Sequence, residues 1–146
     1  MQITAAVVQE VGAPFTLTEV ELAEPAPDEV VVQIAGAGIC HTDVAVQHGH
    51  MPFPLPGVLG HEGSGTVVSV GADVTTVAVG DQVAISFNSC AACPQCAKGQ
   101  PAYCHGFLEY NFSGGRVDGS SGLASAGTKL AANFFGQSSL ATHALA

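Results

Sequence analysis

The chain has 146 residues, which is room for one domain with a hydrophobic core. Three basic residues, Lys98, Arg116 and Lys129, stand against twelve acidic ones, and the formal net charge of -9 excludes a nucleic-acid backbone or an anionic membrane surface as partner. Only 10% of residues are charged and 47% are apolar, against about 25% charged in an ordinary soluble domain. Either the surface is neutral and rich in small residues, or part of it is meant for another domain or a second copy.

In chain order, residues 3–11 (ITAAVVQEV) and 15–22 (FTLTEVEL) predict two strands joined by a turn at 12–14. AEPAPDE, 23–29, is a Pro-rich connector. EVVVQIAGAGI, 29–39, is the strongest strand, and Gly36 and Gly38 predict a bend or a close backbone approach near its end. HTDVAVQHGH, 41–50, predicts one short helix with Thr42 or Asp43 as its N-cap. MPFPLPGVLG, 51–60, is an extended loop with three prolines. GTVVSVG (65–71) and DQVAISF (81–87) predict strands, and 113–129 a flexible loop. NFFGQSSLATHALA, 133–146, reads as a final strand with its approach. The expected architecture is mainly β with short helices, a curved or partly closed sheet. The start, MQITAAVVQEV, lacks the basic lead of a secretory signal, and no run approaches the ~20 apolar residues of a membrane span. The expected compartment is the cytoplasm, where the five cysteines stay reduced.

Four of those cysteines, Cys90, Cys93, Cys96 and Cys104, follow the pattern C-x2-C-x2-C-x7-C. Thiolates so closely spaced can converge on one ion, and a zinc with all four positions filled is structural. The bacterial iron–sulfur run ends C-x3-C-P, which this pattern does not. The expected lobe spans about residues 88–106, and its metal is a scaffold for a segment with little apolar material of its own.

The fifth, Cys40, precedes the HE of GHEGSG, His61 and Glu62, by twenty-one residues. Cysteine, histidine and carboxylate are all zinc ligands, and three of them with one open position make a catalytic site. Taken singly, Cys40 fits a small buried residue at a strand end, and His61 a histidine held in a Gly-rich turn. Cys40 and His41 do not suit a nucleophile–base pair, because neighbours on extended chain point to opposite faces.

Together, GICHTD (38–43), GHEGSGTVVSVG (60–71), GDQV (80–83) and the cysteine pattern resemble the zinc-dependent medium-chain alcohol dehydrogenases, over about residues 3–146. FNSCAACPQCAKGQPAYC (87–104), NFSG (111–114) and FFGQSSLATHALA (134–146) look most like the aryl-alcohol (benzyl-alcohol) branch. The resemblance implies a GroES-like fold, a partly open β-barrel, spanning 1–146. It implies that Cys40, His61 and Glu62 serve a catalytic zinc, that Thr42 passes the alcohol proton, and that Asp43 hydrogen-bonds the imidazole of His61. It puts His41 near the cofactor pyrophosphate, and Cys90, Cys93, Cys96 and Cys104 on a structural zinc. The implied activity is oxidation of primary alcohols to aldehydes with NAD as hydride acceptor.

The sequence departs from that family in length. Members continue to a further ligand cysteine and a Rossmann domain, and the 146 residues hold no G-x-G-x-x-G followed by a spaced acidic residue. Ala45 stands where some relatives place a proton-relay histidine. The expectation is a chain inactive alone, with an apolar face left for the cofactor domain or for self-association. The alternatives are a stand-alone, non-catalytic, zinc-stabilised GroES-like module and, from the fold alone, a co-chaperonin-like protein. Phe53, Phe87 and Phe107 are expected in the core, with contact to an aromatic substrate as the other reading.

Overall fold

The computed structural model describes residues 1–146. Alternating apolar and polar residues build the first hairpin, β1 (Gln2–Val8) and β2 (Thr16–Leu22). Their antiparallel register sets Ile3 opposite Val20, so Ile3, Ala5 and Val7 point to the same interior as Val20 and Leu22. β3 (Val30–Gly38) is followed by α1 (His41–Gln47), then β4 (Gly57–Val58), β5 (Glu62–Val70) and β6 (Gln82–Ala84). Next come two helical turns, α2 (Pro94–Ala97) and α3 (Phe107–Phe112), and three short strands: β7 (Leu123–Ser125), β8 (Thr128–Leu130) and β9 (His143–Leu145).

The strands form two sheets, in the orders β4-β1-β2-β7-β8 and β6-β5-β3-β9. One segment stitches them. Ala6 N–H donates to Leu140 O at 2.8 Å and Thr142 N–H to Thr4 O at 2.9 Å, while Ile34 N–H donates to Thr142 O at 2.9 Å. The result is the mainly β, nearly closed barrel that the sequence led us to expect. Its main core joins Ile3, Val7, Val20, Val31, Val58 and Leu145, each side chain contributing about 1.5–3 kcal/mol by leaving water. A second, smaller core of Val8, Val46, Leu59 and Phe134 lies beneath α1.

Several boundaries differ from expectation. β1 ends at Val8 rather than residue 11, and β5 starts at Glu62 rather than 65. The N-cap of α1 is Cys40, with extended backbone (φ −95°, ψ 161°), rather than Thr42 or Asp43. The presumed flexible loop 113–129 contains most of a hairpin, in which Leu123 pairs with Leu130 and Ser125 with Thr128. Within 133–146 only His143–Leu145 is a strand. Residues 133–138 instead form a tight turn in which Asn133, Phe135, Gly136 and Ser138 all have φ between 49° and 71°.

Candidate active site

Strand register brings the first group of chemical side chains together. β3 and β5 run antiparallel, with Gly38 opposite Glu62 and Ala37 opposite Gly63. Cys40 follows the end of β3 by two residues and His61 precedes β5 by one, so the pairing sets them side by side. A register shift between Ile34 and Gly36 bends β3 just before this point, as its glycines predicted. At Gly38 it is the exposed Glu62 side chain, rather than a neighbouring backbone, that lies over the position a Cβ would take. The ligand atoms of Cys40, His61 and Glu62 all lie within 4.8 Å of one another. Glu62 is exposed, while Cys40 and His61 are half-buried.

Asp43 ties the parts of this cluster. It is fully buried, and as the third residue of α1 it reaches back to its own cap, accepting from Cys40 N–H through Oδ2 at 2.9 Å. Its other oxygen accepts from Gly60 N–H at 2.8 Å and stands 3.4 Å from His61 Nδ1. That nitrogen is buried and has no hydrogen-bond partner, so the bond between the imidazole and Asp43 that the resemblance implied is not made; the two carboxylate oxygens accept instead from the two backbone donors that frame the site. Thr42 Oγ1 lies 3.6 Å from Cys40 Sγ. His41 starts α1 on the exposed side, apart from the cluster. Val46, on the buried face of the same helix, packs into the small core with Leu59 and Phe134, which fixes α1 against the His61 loop.

Phenylalanines wall the site. His61 meets Phe134 edge-on at 5.5 Å and lies tilted over Phe135 at 4.7 Å. Phe134 touches Phe53 and Phe112, and Phe135 touches Phe107 and Phe112. Phe87 joins through Phe107. Six of the chain's seven phenylalanines thus form one connected set ending on the imidazole. Phe134 is fully buried and the other five are only half-buried, so the set is a wall rather than a sealed core. An open groove of about 770 Å³ continues from it, lined by Met51, Phe53, Leu108 and Phe112 among others. Sequence reasoning named Phe53, Phe87 and Phe107 but missed Phe112, Phe134 and Phe135. The doubled FF next to Asn133 and Gly136, residue types that tolerate left-handed backbone, was the available signal for a turn aimed at the site.

The second cluster is the cysteine lobe. Cys93 caps α2 with Pro94 at the first helical position, and Cys104 follows a 3-10 turn at Pro101–Tyr103. All four sulfurs lie within 4.8 Å of one another. Cys93 and Cys96 Sγ are 3.6 Å apart, and Cys90 and Cys96 Sγ 3.9 Å. A tetrahedron with metal–sulfur bonds of ~2.3 Å has edges of about 3.8 Å, which these two separations match, so the cluster suits a four-thiolate zinc. Backbone donors already face the sulfurs: Cys90 N–H to Cys104 Sγ and Cys93 N–H to Cys90 Sγ, both at 3.3 Å. The N–H groups of Cys96 and His105 hold the Cys93 thiol down to about 6. Burial, then the bond its thiol donates to the Cys93 sulfur, pushes Cys96 up to about 11. Four sulfurs this close together, facing backbone N–H dipoles, form a donor set suited to a cation. Asn111 closes the neck of the lobe, accepting from Asn88 N–H at 2.8 Å and donating to Asn88 O at 2.9 Å and Phe107 O at 2.7 Å.

Residues 26–135 match the family described as the alcohol dehydrogenase GroES-like domain. The chain belongs to that family. It is 50% identical over 143 residues to a geraniol dehydrogenase of Castellaniella defragrans, covering 97% of this chain and 38% of the relative. An alcohol dehydrogenase zinc-binding domain protein from Burkholderia ambifaria superposes over 100% of the chain and 40% of its own, at TM-score 0.98 and 45% identity. Benzyl alcohol dehydrogenase from Acinetobacter calcoaceticus does so over 100% and 39%, at TM-score 0.93 and 44% identity. The chain thus spans about two fifths of the length of these relatives. The GroES-like assignment agrees with the barrel and with both donor clusters, and no helix is long and apolar enough to cross a membrane.

Proposed function

We propose that this chain is the zinc-binding catalytic domain of an NAD-dependent alcohol dehydrogenase acting on primary alcohols that carry an aryl or comparably large apolar group. The observation that carries the reading is the convergence of Cys40, His61 and Glu62 at the end of a phenylalanine wall. In this reading those three residues hold the catalytic zinc, and Cys90, Cys93, Cys96 and Cys104 hold a structural zinc in a lobe of about residues 88–106. A bound zinc supplies Lewis-acid polarisation of the alcohol oxygen.

The chain's own residues do the rest. In this reading the Asp43 carboxylate, 3.4 Å from Nδ1 of His61, favours a proton on that nitrogen by its charge, which leaves the opposite ring nitrogen for the metal. The Thr42 hydroxyl, beside Cys40 Sγ, is placed to take and pass on the alcohol proton, since a hydroxyl both accepts and donates. The half-buried phenylalanines exclude water and receive the apolar body of the substrate. The likeness to relatives named for geraniol and benzyl alcohol supports a large apolar alcohol. His41, exposed at the start of α1, is positioned for the cofactor side. Ile39, 66% exposed next to Cys40, is an apolar side chain that a cofactor domain, or a second copy, would cover. In this reading NAD needs a further, Rossmann-type domain, and the 146-residue chain alone does not turn over alcohol.

Metal analysis of the purified chain tests the reading. We expect two zinc ions per chain, one in Cys40→Ser, and no NAD reduction with benzyl alcohol. A single zinc in the parent chain, unchanged by Cys40→Ser, overturns the catalytic site and favours a non-catalytic zinc-stabilised module instead.

A further inference from the structure

We propose that Gln137 is a positioning residue that sets the pose of His61. The loop carrying His61 has no strand on one side; residues 137–140 take its place. Ser138 Oγ donates to Val58 O at 2.6 Å, Leu140 N–H to Leu59 O and Ser139 N–H to Gly60 O, both at 3.0 Å. The next carbonyl, that of His61 itself, is met by a side chain: Gln137 Nε2 donates to it at 3.1 Å. The same carboxamide accepts from Gly63 N–H through Oε1 at 3.0 Å. Four consecutive carbonyls, 58 to 61, are therefore satisfied from one short segment, and Gln137 alone spans the residue that carries the imidazole.

The backbone of that segment is unusual in a way that serves this contact. Asn133, Phe135 and Ser138 hold left-handed φ of 60°, 49° and 53° without being glycine. Each such residue stores strain that its surroundings must offset. The turn delivers Phe134 and Phe135 against the His61 ring and Gln137, 2% exposed, to its backbone. Ring and peptide of one residue are thus gripped by one strained turn. Gly60 helps: its φ of 96° turns the chain before His61, and a Cβ there would collide with Leu140 N. Asp43 fixes the loop from the opposite side.

The consequence for metal affinity rests on reading Cys40, His61 and Glu62 as a metal site; the pose itself does not. Two variants separate the bonds. Gln137→Leu removes both, and Gln137→Glu keeps an acceptor for Gly63 N–H while losing the donor to His61 O. Two readouts are taken on the full chain. In the metal-free chain, NMR reports the His61 ring protons, which Phe135 should shift upfield. With the four-thiol lobe first filled with zinc, a cobalt titration reports the second site.

We expect both variants to lose part of the upfield shift. Cobalt should bind about 10–100-fold more weakly in Gln137→Leu and to an intermediate degree in Gln137→Glu, with lobe zinc unchanged in both. Should Gln137→Leu fail to fold, Gln137→Glu decides. A folded Gln137→Glu with parental ring shifts and parental cobalt affinity overturns the proposal. A zinc-filled parent chain that takes up no cobalt refutes the metal reading, while the ring shifts still decide the role of Gln137.

Discussion

Replacing Asp43 by Asn tests how the site is held together. Both carboxylate oxygens of this fully buried residue accept a backbone N–H, from Cys40 at 2.9 Å and from Gly60 at 2.8 Å. A hydrogen bond to a charged group contributes ~1.5–3 kcal/mol net, and an orphaned buried donor costs a further ~1–3 kcal/mol. Asparagine keeps one oxygen and turns an NH2 toward the other backbone N–H, so one bond is lost and two donors face each other. Removing the charge also relieves part of its burial cost, which brings the expected loss to about 2–3 kcal/mol. For a chain of this length that is a fall in melting temperature of roughly 6–9 °C, at about 3 °C per kcal/mol. Asp43→Ala strands both donors and should cost about twice as much. Calorimetry or urea denaturation of the zinc-loaded chain measures the change, with the exposed Asp73→Asn expected within about 0.5 kcal/mol of the parent. Melting of Asp43→Asn within about 2 °C of the parent would refute the bridging role.

Two further outcomes follow from features away from the site. Arg116 grips Glu29 through two bonds, at 2.8 and 2.7 Å, and reaches Glu24 O at 3.2 Å; Arg116→Gln should cost about 1–2 kcal/mol and speed proteolysis within residues 113–122, and unchanged cleavage would count against it. Burial holds the His143 imidazole below its ordinary value near 6.5, so the unfolded chain binds more protons and stability should fall as pH drops below that value. His143→Gln should flatten the urea midpoint against pH over this acid range, and a parallel profile would remove His143 as the cause.

The strands were legible where side chains alternate, as in β1 and β2, because one face of each is buried, and where they are β-branched, as in the Val30–Val32 run of β3. The cysteine lobe was legible because its ligands lie close in sequence, so spacing alone suffices. The β7–β8 hairpin was hidden by its turn, in which Ala126 takes a φ of 48°; the usual Asn-Gly or Gly-Gly signal is absent. The cap of α1 was misplaced because Asp43 works from inside the helix, reaching back to Cys40 N–H. Gln137 was invisible for another reason. Its partners are more than seventy residues away, and nothing local in QSS distinguishes a buried bridge from a polar turn.

The segment that stitches the two sheets also sets a schedule for folding. Thr4 is bonded to Thr142, 138 residues later. A ribosome adding about 5–20 residues per second makes the first strand wait on the order of ten seconds for that partner. Through that interval the carbonyls of the His61 loop also lack residues 137–140. The barrel therefore closes as a late event dominated by distant pairings, which makes folding slow, and His61 reaches its final pose only at that closure.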